Sequence, residues 1–291
     1  MTHAFSVDVE DWYQVSDFEE IVEFSAWHWY ESRVVPNTER ILALLAEAGV
    51  TATFFILAWN VQRHPELPRM IAAAGHEIGS HGYGHALAYE LGPKPFRQDV
   101  ERSKKLLEDV TGTPVVGYRA PSFSITARSL WALDVLLDLG FQYDSSIFPI
   151  RDTLYGIPDA RRFPFLITRN GRTLTEFPMS TVRCAGRTLP VCGGAYLRLL
   201  PYRYTRWGLR RLEHERRPAI LYVHPWELDP GQPRIRVRGK RGLSTHYYRL
   251  ATTEVKVRRL LADFRFAPIA RVLAITPAWG TMSRGQCESS S

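Results

Sequence analysis

Residues 37–57 read NTERILALLAEAGVTATFFIL, and this run contains the signals of one helix followed by one strand. Asn37 or Thr38 can cap the helix, its apolar residues form one stripe, and Gly49 ends it. Residues 51–57 are rich in Thr, Phe and Ile, which are favoured in strands. The run therefore predicts a helix that leads directly into a strand.

The same alternation continues on both sides of this run. It predicts further strands at 5–9, 76–80, 115–118, 141–143 and 219–223, and further helices at 66–74, 96–110, 127–139, 205–215 and 252–264. Residues 150–198 interrupt it with many Pro and Gly residues and short strand-like pieces. Such alternation is typical of an α/β fold in which helices cover a parallel sheet. About six or seven units, with no Gly-rich nucleotide-binding loop after any strand, favour a (β/α) barrel, although periodicity alone leaves an open sheet as the alternative.

The composition is that of a folded protein. The 291 residues are 45% hydrophobic and 23% charged, which excludes collagen-like and disordered chains. No stretch approaches the roughly 18 apolar residues of a membrane-spanning helix, and the first residues do not resemble a signal peptide. Cys184, Cys192 and Cys287 are widely spaced, which argues against a disulfide framework and a cysteine zinc site. We therefore expect a protein without a signal peptide, located in the reducing cytoplasm.

The formal net charge of +7 is unevenly distributed. Residues 1–33 carry eight acids and a single Arg, whereas residues 197–259 carry sixteen Arg or Lys and five acids. No helix-turn-helix, zinc-finger or RNP-like motif accompanies the basic region, so we expect no nucleic-acid partner. An anionic glycan or a membrane surface fits this charge better.

Polar residues capable of catalysis or metal binding stand at the ends of several predicted strands. In a (β/α) barrel, functional groups lie at the carboxyl ends of the strands, so these residues would meet at one edge. Asp8, Glu10 and Asp11 end the strand at 5–9. Asp8 and Glu10 share a face of an extended strand, whereas Asp11 turns away unless the strand has already ended. Carboxylates this close repel unless a cation or proton lies between them, which indicates metal binding or acid–base chemistry; an acidic surface loop is the alternative.

Two histidines, His81 and His85, lie in the run HGYGH. The intervening glycines disfavour a rigid helix and indicate a tight loop in which both imidazoles face one ion. His76 is five residues before His81, so the H-E-x-x-H signature of metalloproteases is absent. Two His and one carboxylate leave coordination positions open, as in catalytic metal sites; the alternative is a purely structural loop.

Arg119 and His224 also follow predicted strands. Arg119 lies two residues before Pro121 and cannot continue into a helix at once, so its guanidinium can hold a carboxylate; an ordinary surface Arg is the alternative. His224 ends the apolar run at 219–223, where it can donate a proton at the barrel edge, although a core histidine is the usual interpretation.

The order of these groups resembles the motif series of the polysaccharide deacetylases of the NodB-homology type. The matching stretches are SVDVED at 6–11, HGYGH at 81–85, RAPSFS at 119–124, DSS at 144–146 and VH at 223–224. The stretches at 193–196, 224–230 and 245–248 are also similar to the branch of that family found with exopolysaccharide and exosortase (PEP-CTERM) loci. The resemblance covers nearly the whole chain.

This resemblance implies a single domain with a distorted (β/α)7 barrel over about residues 1–230. A C-terminal extension would follow at about 231–280, with a disordered tail at 281–291. The implied activity is metal-dependent removal of N-acetyl groups from amino sugars of a polysaccharide or its lipid-linked precursor, in exopolysaccharide biosynthesis.

The resemblance also implies residue roles. Asp8 would be the general base, His224 the general acid and Arg119 the residue that orients Asp8. The substrate contacts would be Trp12, Tyr13, Pro121, Asp144, Ser145 and Trp226.

The implied cofactor is a divalent metal, Zn²⁺ in the first place, with Co²⁺ or Ni²⁺ as alternatives. His81 and His85 would be two ligands. The common family pattern has a second Asp directly after the first, where this chain has Val9. Glu10 is therefore the expected third ligand, with Asp11 in reserve.

The expected partner is an N-acetylated oligo- or polysaccharide. Peripheral association with the inner membrane face or with exopolysaccharide assembly proteins is compatible with the basic C-terminal half. Two other functions remain open: an amidohydrolase or deformylase acting on a lipid-linked sugar or small amide, and a non-catalytic glycan-binding protein on the same scaffold.

Overall fold

The computed structural model describes residues 1–152, 154–169, 171–191, 193–235 and 245–275. The predicted tail at 281–291 and part of the predicted extension at 231–280 lie outside the described residues. The division into barrel and extension stays a prediction. Within the described ranges, no helix has both the length and the apolar character needed to cross a bilayer.

Parallel strands form the centre of the fold. The strands are β1 (Thr2–Val9), β2 (Thr53–Ile56), β3 (Glu77–Ser80), β4 (Gly117–Tyr118), β5 (Tyr143–Asp144), β6 (Phe165–Arg169), β7 (Arg172–Glu176), β8 (Thr181–Cys184), β9 (Arg187–Pro190), β10 (Ile220–Val223) and β11 (Arg265–Ala267). The helices are α1 (Val34–Glu47), α2 (Ala58–Arg63), α3 (Glu66–Ala73), α4 (Ala88–Leu91), α5 (Pro93–Thr111), α6 (Trp131–Asp138), α7 (Ala195–Leu199), α8 (Tyr202–His214), α9 (Thr253–Asp263) and α10 (Ile269–Val272). Neighbouring strands follow the order β10-β1-β2-β3-β4-β5-β7-β6, and β11 pairs with the start of β1.

The predicted α/β fold with a parallel sheet is confirmed. Every strand pair from β10 to β7 is parallel, and only β6 joins this path in the antiparallel direction. Within the described residues no strand ladder joins β7 to β10. Irregular chain lies between them: Phe177 N donates to Asp144 O beside β7, and Gly193 forms a bridge with Tyr222 of β10. The arrangement is therefore barrel-like but distorted.

Helix α1 begins earlier than the sequence predicts. The expected cap at Asn37 or Thr38 is wrong, because the helix begins at Val34 and both residues are buried within it. The carboxylate of Asp11 accepts hydrogen bonds from the backbone N–H groups of Arg33 (3.0 Å) and Val34 (3.3 Å). A distant side chain thus satisfies donors that a helix start leaves unpaired, and local pattern cannot reveal it.

Strand β1 distributes its side chains over two faces, as any extended strand must. One face consists of Phe5, Val7 and Val9, which lie in the hydrophobic core shared with the helices. On the other face, the Ser6 hydroxyl and the Asp8 carboxylate both accept hydrogen bonds from Arg119. The alternation that builds the core therefore also directs Asp8 into the barrel.

A buried pair of carboxyl groups lies between β5 and β7. Asp144 and Glu176 are opposite each other in the parallel register, and both are fully buried. Asp144 Oδ2 and Glu176 Oε2 have no other hydrogen-bond partner within the described chain, which fits one proton shared between them. Burial raises the pKa of Asp144 to about 6, and burial together with the facing Asp144 carboxylate raises the pKa of Glu176 well above its usual range. At neutral pH the pair therefore holds a single proton.

The substitution Glu176→Gln tests the shared proton, because it changes how the free energy of unfolding depends on pH. Folded Glu176 keeps a proton that the unfolded chain loses above its ordinary pKa of 4.5. The free energy of unfolding therefore falls as pH rises from that value toward the raised folded pKa, by up to about 1.4 kcal/mol per pH unit. In Glu176→Gln the amide can donate to ionised Asp144, so we expect this contribution to the slope to disappear between about pH 6 and pH 8.

Urea denaturation across this pH range measures the slope. Glu101→Gln on the exposed face of α5 is the matched control, because it removes a carboxylate that is in contact with water. A slope that is the same in Glu176→Gln as in the wild type would contradict the shared proton.

Candidate active site

The carboxyl ends of β1, β3 and β10 border one cleft, as the barrel arrangement requires. Its lining includes Asp8, Glu10, His81, His85, His224 and Trp226. Arg119, which follows β4, contacts Asp8 but is itself fully buried. The polar groups that the sequence singled out thus come together in one place.

Glu10, His81 and His85 form a compact cluster of metal-ligating atoms. Glu10 Oε1 lies 2.9 Å from His81 Nε2 and 3.1 Å from His85 Nε2. The three ligand atoms all lie within 4.8 Å of one another, and all three residues are buried. Burial raises the pKa of Glu10, but the surrounding imidazoles of His85, His224 and His81, when they are protonated, outweigh it and hold that pKa well below its usual range.

The tautomer of His81 shows that this cluster fits a cation. His81 Nδ1 lies 2.8 Å from the carbonyl oxygen of Arg119, which can only accept, so Nδ1 carries the proton. In the neutral imidazole, Nε2 then presents a lone pair to the Glu10 carboxylate. Two electron-rich atoms at this distance need a cation or a proton between them. A set of two His and one carboxylate suits a divalent transition metal and leaves coordination positions open.

A tight loop carries the two histidines, as the sequence predicts. Gly82 has a φ of +75°, and a Cβ atom there would lie 2.8 Å from Asp99 Oδ2. The same oxygen accepts a hydrogen bond of 2.9 Å from Tyr83 N. His85 itself has a φ of +58°, which is rare for a residue other than glycine. Asp99 therefore holds the loop in the turn that directs both imidazoles toward Glu10.

The reserve ligand Asp11 points elsewhere and is not part of the cluster. Its carboxylate accepts hydrogen bonds from the Ser32 hydroxyl (2.7 Å) and from the backbone N–H groups at the start of α1. Burial raises its pKa to about 6, although these hydrogen bonds act in the opposite direction. The structure thus places Glu10, and not Asp11, beside the two histidines.

Asp8 is held by a buried guanidinium. Arg119 Nη1 donates to Asp8 Oδ1 at 2.6 Å and to the Ser6 hydroxyl at 2.8 Å. Its Nε and Nη2 donate to the backbone oxygen and the hydroxyl of Ser145, both at 3.1 Å. With Oδ1 fixed by this ion pair, Asp8 Oδ2 lies 4.0 Å from Nε2 of His224.

His224 is fixed from the opposite side by Glu227. Glu227 Oε2 accepts from the His224 backbone N–H at 2.9 Å and lies 3.1 Å from His224 Nδ1, while Glu227 Oε1 accepts from Arg198 Nε at 2.6 Å. Burial raises the pKa of Glu227, but the Arg198 guanidinium and His224 outweigh this effect and lower the pKa to about 2.

The same surroundings determine the charge of His224. Burial lowers its pKa, whereas the carboxylates of Glu10, Glu227 and Asp8 raise it, with a net result of about 9. His224 Nε2 lies 4.0 Å from Glu10 Oε2. This arrangement therefore directs His224 Nε2 toward the two carboxylates at the cleft.

Two family models match separate segments of the chain. Residues 26–143 match the family model for polysaccharide deacetylases. This segment contains His81, His85 and Arg119, whereas residues 145–274, which contain His224, match a domain of unknown function, DUF3473. The cleft thus combines residues from the deacetylase-family segment with residues from outside it.

Curated relatives resemble a limited part of the chain. The chain is 34% identical to the peptidoglycan deacetylase of Helicobacter pylori over 110 residues. This matched region is 37% of this chain and 36% of that protein. It is 31% identical to the chitooligosaccharide deacetylase of Rhizobium leguminosarum bv. trifolii over 99 residues. This matched region is 34% of this chain and 43% of that protein. The chain thus spans less than half the length of these relatives.

Solved structures resemble nearly the whole chain. A protein from Mycobacterium smegmatis assigned to the polysaccharide deacetylases has a TM-score of 0.62 at 23% identity, over 98% of this chain and 94% of its own. Puue allantoinase has a TM-score of 0.59 at 16% identity, over 91% of this chain and 86% of its own. At these identities the likeness establishes a shared fold.

Four of the residues expected to contact the sugar are not brought to the cleft. Asp144 belongs to the carboxyl pair described above, and the Ser145 hydroxyl donates to Phe177 O while it accepts from Arg119. Pro121 is buried, and Trp12 Nε1 donates to Glu31 O within a buried aromatic cluster. In each case, packing or an internal hydrogen bond uses a group that the sequence analysis had assigned to the substrate.

Trp226 and Tyr13 have different surroundings. Trp226 lines the cleft but is stacked between the rings of His224 and His246, with centroid distances of 5.1 and 4.1 Å. It therefore presents an edge rather than a free face. Tyr13 lines a neighbouring cavity that also reaches His85.

Sequence reasoning missed the residues that support the site. Glu227 follows His224 by three residues, a local signal that would have suggested a contact. Arg198 and Asp99 carry no such signal, because they approach Glu227 and the histidine loop from α7 and α5.

A metal titration distinguishes Glu10 from Asp11. We expect Glu10→Gln to weaken Zn²⁺ binding by more than the about 10- to 100-fold loss typical of an outer-shell partner. Asp11→Asn should leave Zn²⁺ affinity near that of the wild type but lower stability at the start of α1. Calorimetry on chelator-treated protein measures the affinity, and urea denaturation measures the stability. The reverse ranking of the two affinities would reassign the third ligand to Asp11.

Proposed function

We propose that this protein is a metal-dependent N-deacetylase that hydrolyses N-acetyl groups on amino sugars of a polysaccharide or its lipid-linked precursor. The observation that carries the proposal is the cluster of Glu10, His81 and His85 beside Asp8 and His224. Two relatives that resemble the chain over about a third of its length are named peptidoglycan and chitooligosaccharide deacetylases, which supports this substrate class.

A divalent metal held by Glu10, His81 and His85 would polarise the amide carbonyl and lower the pKa of an attacking water. Zn²⁺ is the first expectation for two imidazoles and a carboxylate, with Co²⁺ or Ni²⁺ as alternatives. The proton on Nδ1 of His81, held by the Arg119 carbonyl, keeps Nε2 available as a ligand.

Asp8 would act as the general base. Arg119 occupies Oδ1, so Oδ2 is the oxygen that faces the cleft and His224. As water attacks the carbonyl carbon, Oδ2 would take its proton.

His224 would act as the general acid. An amide does not release an amine unless its nitrogen is protonated, and His224 Nε2 lies on the same side of the cleft as both carboxylates. With Nδ1 directed to Glu227, Nε2 would give its proton to the leaving nitrogen. The C–N bond then breaks to yield acetate and a free amino group on the sugar.

We place this activity in exopolysaccharide biosynthesis. The stretches at 193–196, 224–230 and 245–248 support this placement, because they are similar to the branch of the family found with exopolysaccharide and exosortase loci. The basic residues of 197–259 support peripheral association with an anionic membrane face.

The test of the function is acetate release from N-acetylated oligosaccharides by purified protein. We expect release that stops with chelator, returns with zinc, cobalt or nickel, and is absent in His81→Ala. Bound metal without acetate release would point to a small amide or formyl substrate. Absence of bound metal together with oligosaccharide binding would support a glycan-binding protein instead.

Asp8→Asn tests the base. The substitution keeps the size of the side chain and leaves the metal cluster intact, so metal content should not change. Turnover should fall by about 100- to 10,000-fold, the usual contribution of a positioned base. Near-normal turnover at full metal occupancy would remove Asp8 from the mechanism.

Glu227→Gln tests whether Glu227 positions the acid. A sugar amide needs protonation of its leaving group, whereas 4-nitrophenyl acetate loses a stable phenolate without it. We expect kcat on the amide to fall by about 10- to 100-fold, with little change on the ester and in metal content. Asp8→Asn is the control, because loss of the base should slow the hydrolysis of both the amide and the ester. Equal losses on amide and ester in Glu227→Gln would indicate a purely structural effect.

A further inference from the structure

Three stretches that lie far apart in the sequence meet beside His224. They are 193–198, 224–230 and 245–248, and all three belong to the segment that matches the domain of unknown function. The mechanism above uses only His224 and Glu227 from them. The contacts that join the three stretches indicate what the remaining residues do.

The first stretch lies directly against the strand that carries His224. Gly193 forms a bridge with Tyr222 of β10, and Gly194 N donates to Tyr222 O at 3.2 Å. Both glycines have positive φ angles, +125° and +53°, and a Cβ atom at either position would overlap Tyr222. This close approach places α7, and with it Arg198, next to the carboxyl end of β10.

Arg198 connects the first stretch to the other two. It is 3% exposed, and its Nε donates to Glu227 Oε1 at 2.6 Å. Its Nη1 donates to the backbone oxygens of Thr245 and His246, each at 2.6 Å. A buried guanidinium needs acceptors for its N–H groups, so these bonds hold the backbone of 245–248 at a fixed place relative to Glu227.

His246 projects from this backbone onto the ring of Trp226. Their centroids are 4.1 Å apart and their planes differ by 18°, while the ring of His224 lies 5.1 Å from Trp226 at 21°. The three rings therefore form one nearly parallel stack that ends at the cleft. The hydrogen bond from Nδ1 to Glu227 fixes one atom of the His224 ring. The side-chain torsion of a histidine ring is otherwise broad, and the stack restricts it to one plane.

Gln232 determines where His246 carries its proton. Gln232 Nε2 donates to the backbone oxygens of Trp226 (2.9 Å) and Asp229 (3.0 Å), so its Oε1 faces His246 Nε2 at 2.8 Å. An amide oxygen only accepts, so His246 Nε2 carries a proton. Burial and the positive charge of Arg198 lower the pKa of His246 to about 3. The stacked ring is therefore neutral and adds no second positive charge beside His224.

We propose that His246 is a positioning residue, which fixes the ring plane of the general acid His224 through Trp226. Arg198 attaches the stretch 245–248 to this support. The inference rests on the proposed deacetylase function and deepens it. The three stretches then share one function, which is to orient the proton donor.

Two substitutions of similar size separate the aromatic ring from mere filling of space. His246→Phe keeps a planar ring against Trp226, whereas His246→Leu does not. The leaving nitrogen of a sugar amide needs a well-placed proton donor, whereas 4-nitrophenyl acetate releases its phenolate without one. We expect kcat on the amide to fall by about 10- to 100-fold in His246→Leu, with little change on the ester. His246→Phe should restore the amide reaction to within about threefold of the wild type.

His76→Leu is the matched control. His76 packs against Phe54 with a centroid distance of 4.9 Å, and it lies at the amino end of β3, whereas the cleft lies at the carboxyl ends of the strands. Loss of this ring should leave the ratio of amide to ester turnover unchanged. Equal losses on amide and ester in His246→Leu, or no restoration in His246→Phe, would overturn the proposal.

A second measurement needs neither metal nor turnover. Long-range ¹H–¹⁵N spectra of the metal-free protein report the ring nitrogens of His224, which are assigned by comparison with His224→Gln. We expect one sharp set of His224 signals in the wild type and in His246→Phe, because the stacked ring occupies one plane. His246→Leu should broaden or double these signals. A single unchanged set in His246→Leu would contradict the positioning role.

Spectra and turnover together separate this proposal from the proposed function. Acetate release by the wild type, with unchanged His224 signals in His246→Leu, would keep the deacetylase and remove the positioning role. Broadened or doubled signals in His246→Leu, without acetate release by the wild type, would support the positioning of His224 and overturn the deacetylase.

Discussion

The buried guanidinium of Arg119 connects the parts of the site that the fold must bring together. It holds Asp8 and Ser6 on β1 and Ser145 after β5, and its backbone carbonyl fixes the tautomer of His81. A charge without a partner at this depth would cost several kcal/mol, so the fold is tied to the presence of these acceptors. Arg119 therefore both holds the Asp8 carboxylate and fixes the tautomer of His81.

Opposite charges alternate across the site. Arg119 faces Asp8, His224 lies between Asp8, Glu10 and Glu227, and Arg198 completes the row beyond Glu227. In a buried region each charge depends on its neighbours, because water is not available to screen it. Each charged group in this row therefore faces a group of opposite charge.

The site combines residues of two segments that match different family models with Asp8 and Glu10, which precede both segments. The deacetylase-family segment supplies the two histidines and Arg119, and the segment outside it supplies His224, Glu227 and Arg198. The stretch 13–27 adds an aromatic wall next to this centre.

The alternation of strands and helices and the order of the polar groups could be read from the sequence, because period and composition act locally. The face shared by Asp8 and Glu10 follows from the two-residue repeat of a strand, and the turn between His81 and His85 follows from glycine. The destinations of Asp11, Asp144 and Trp12 could not be read in this way. Their partners lie at the start of α1, on β7 and at Glu31, and only folding brings those groups within hydrogen-bond distance. The sequence by itself thus determined the fold class and which chemical groups gather at the strand ends. The tertiary structure decided which of them face the cleft, because a buried polar group takes whichever partner long-range packing supplies.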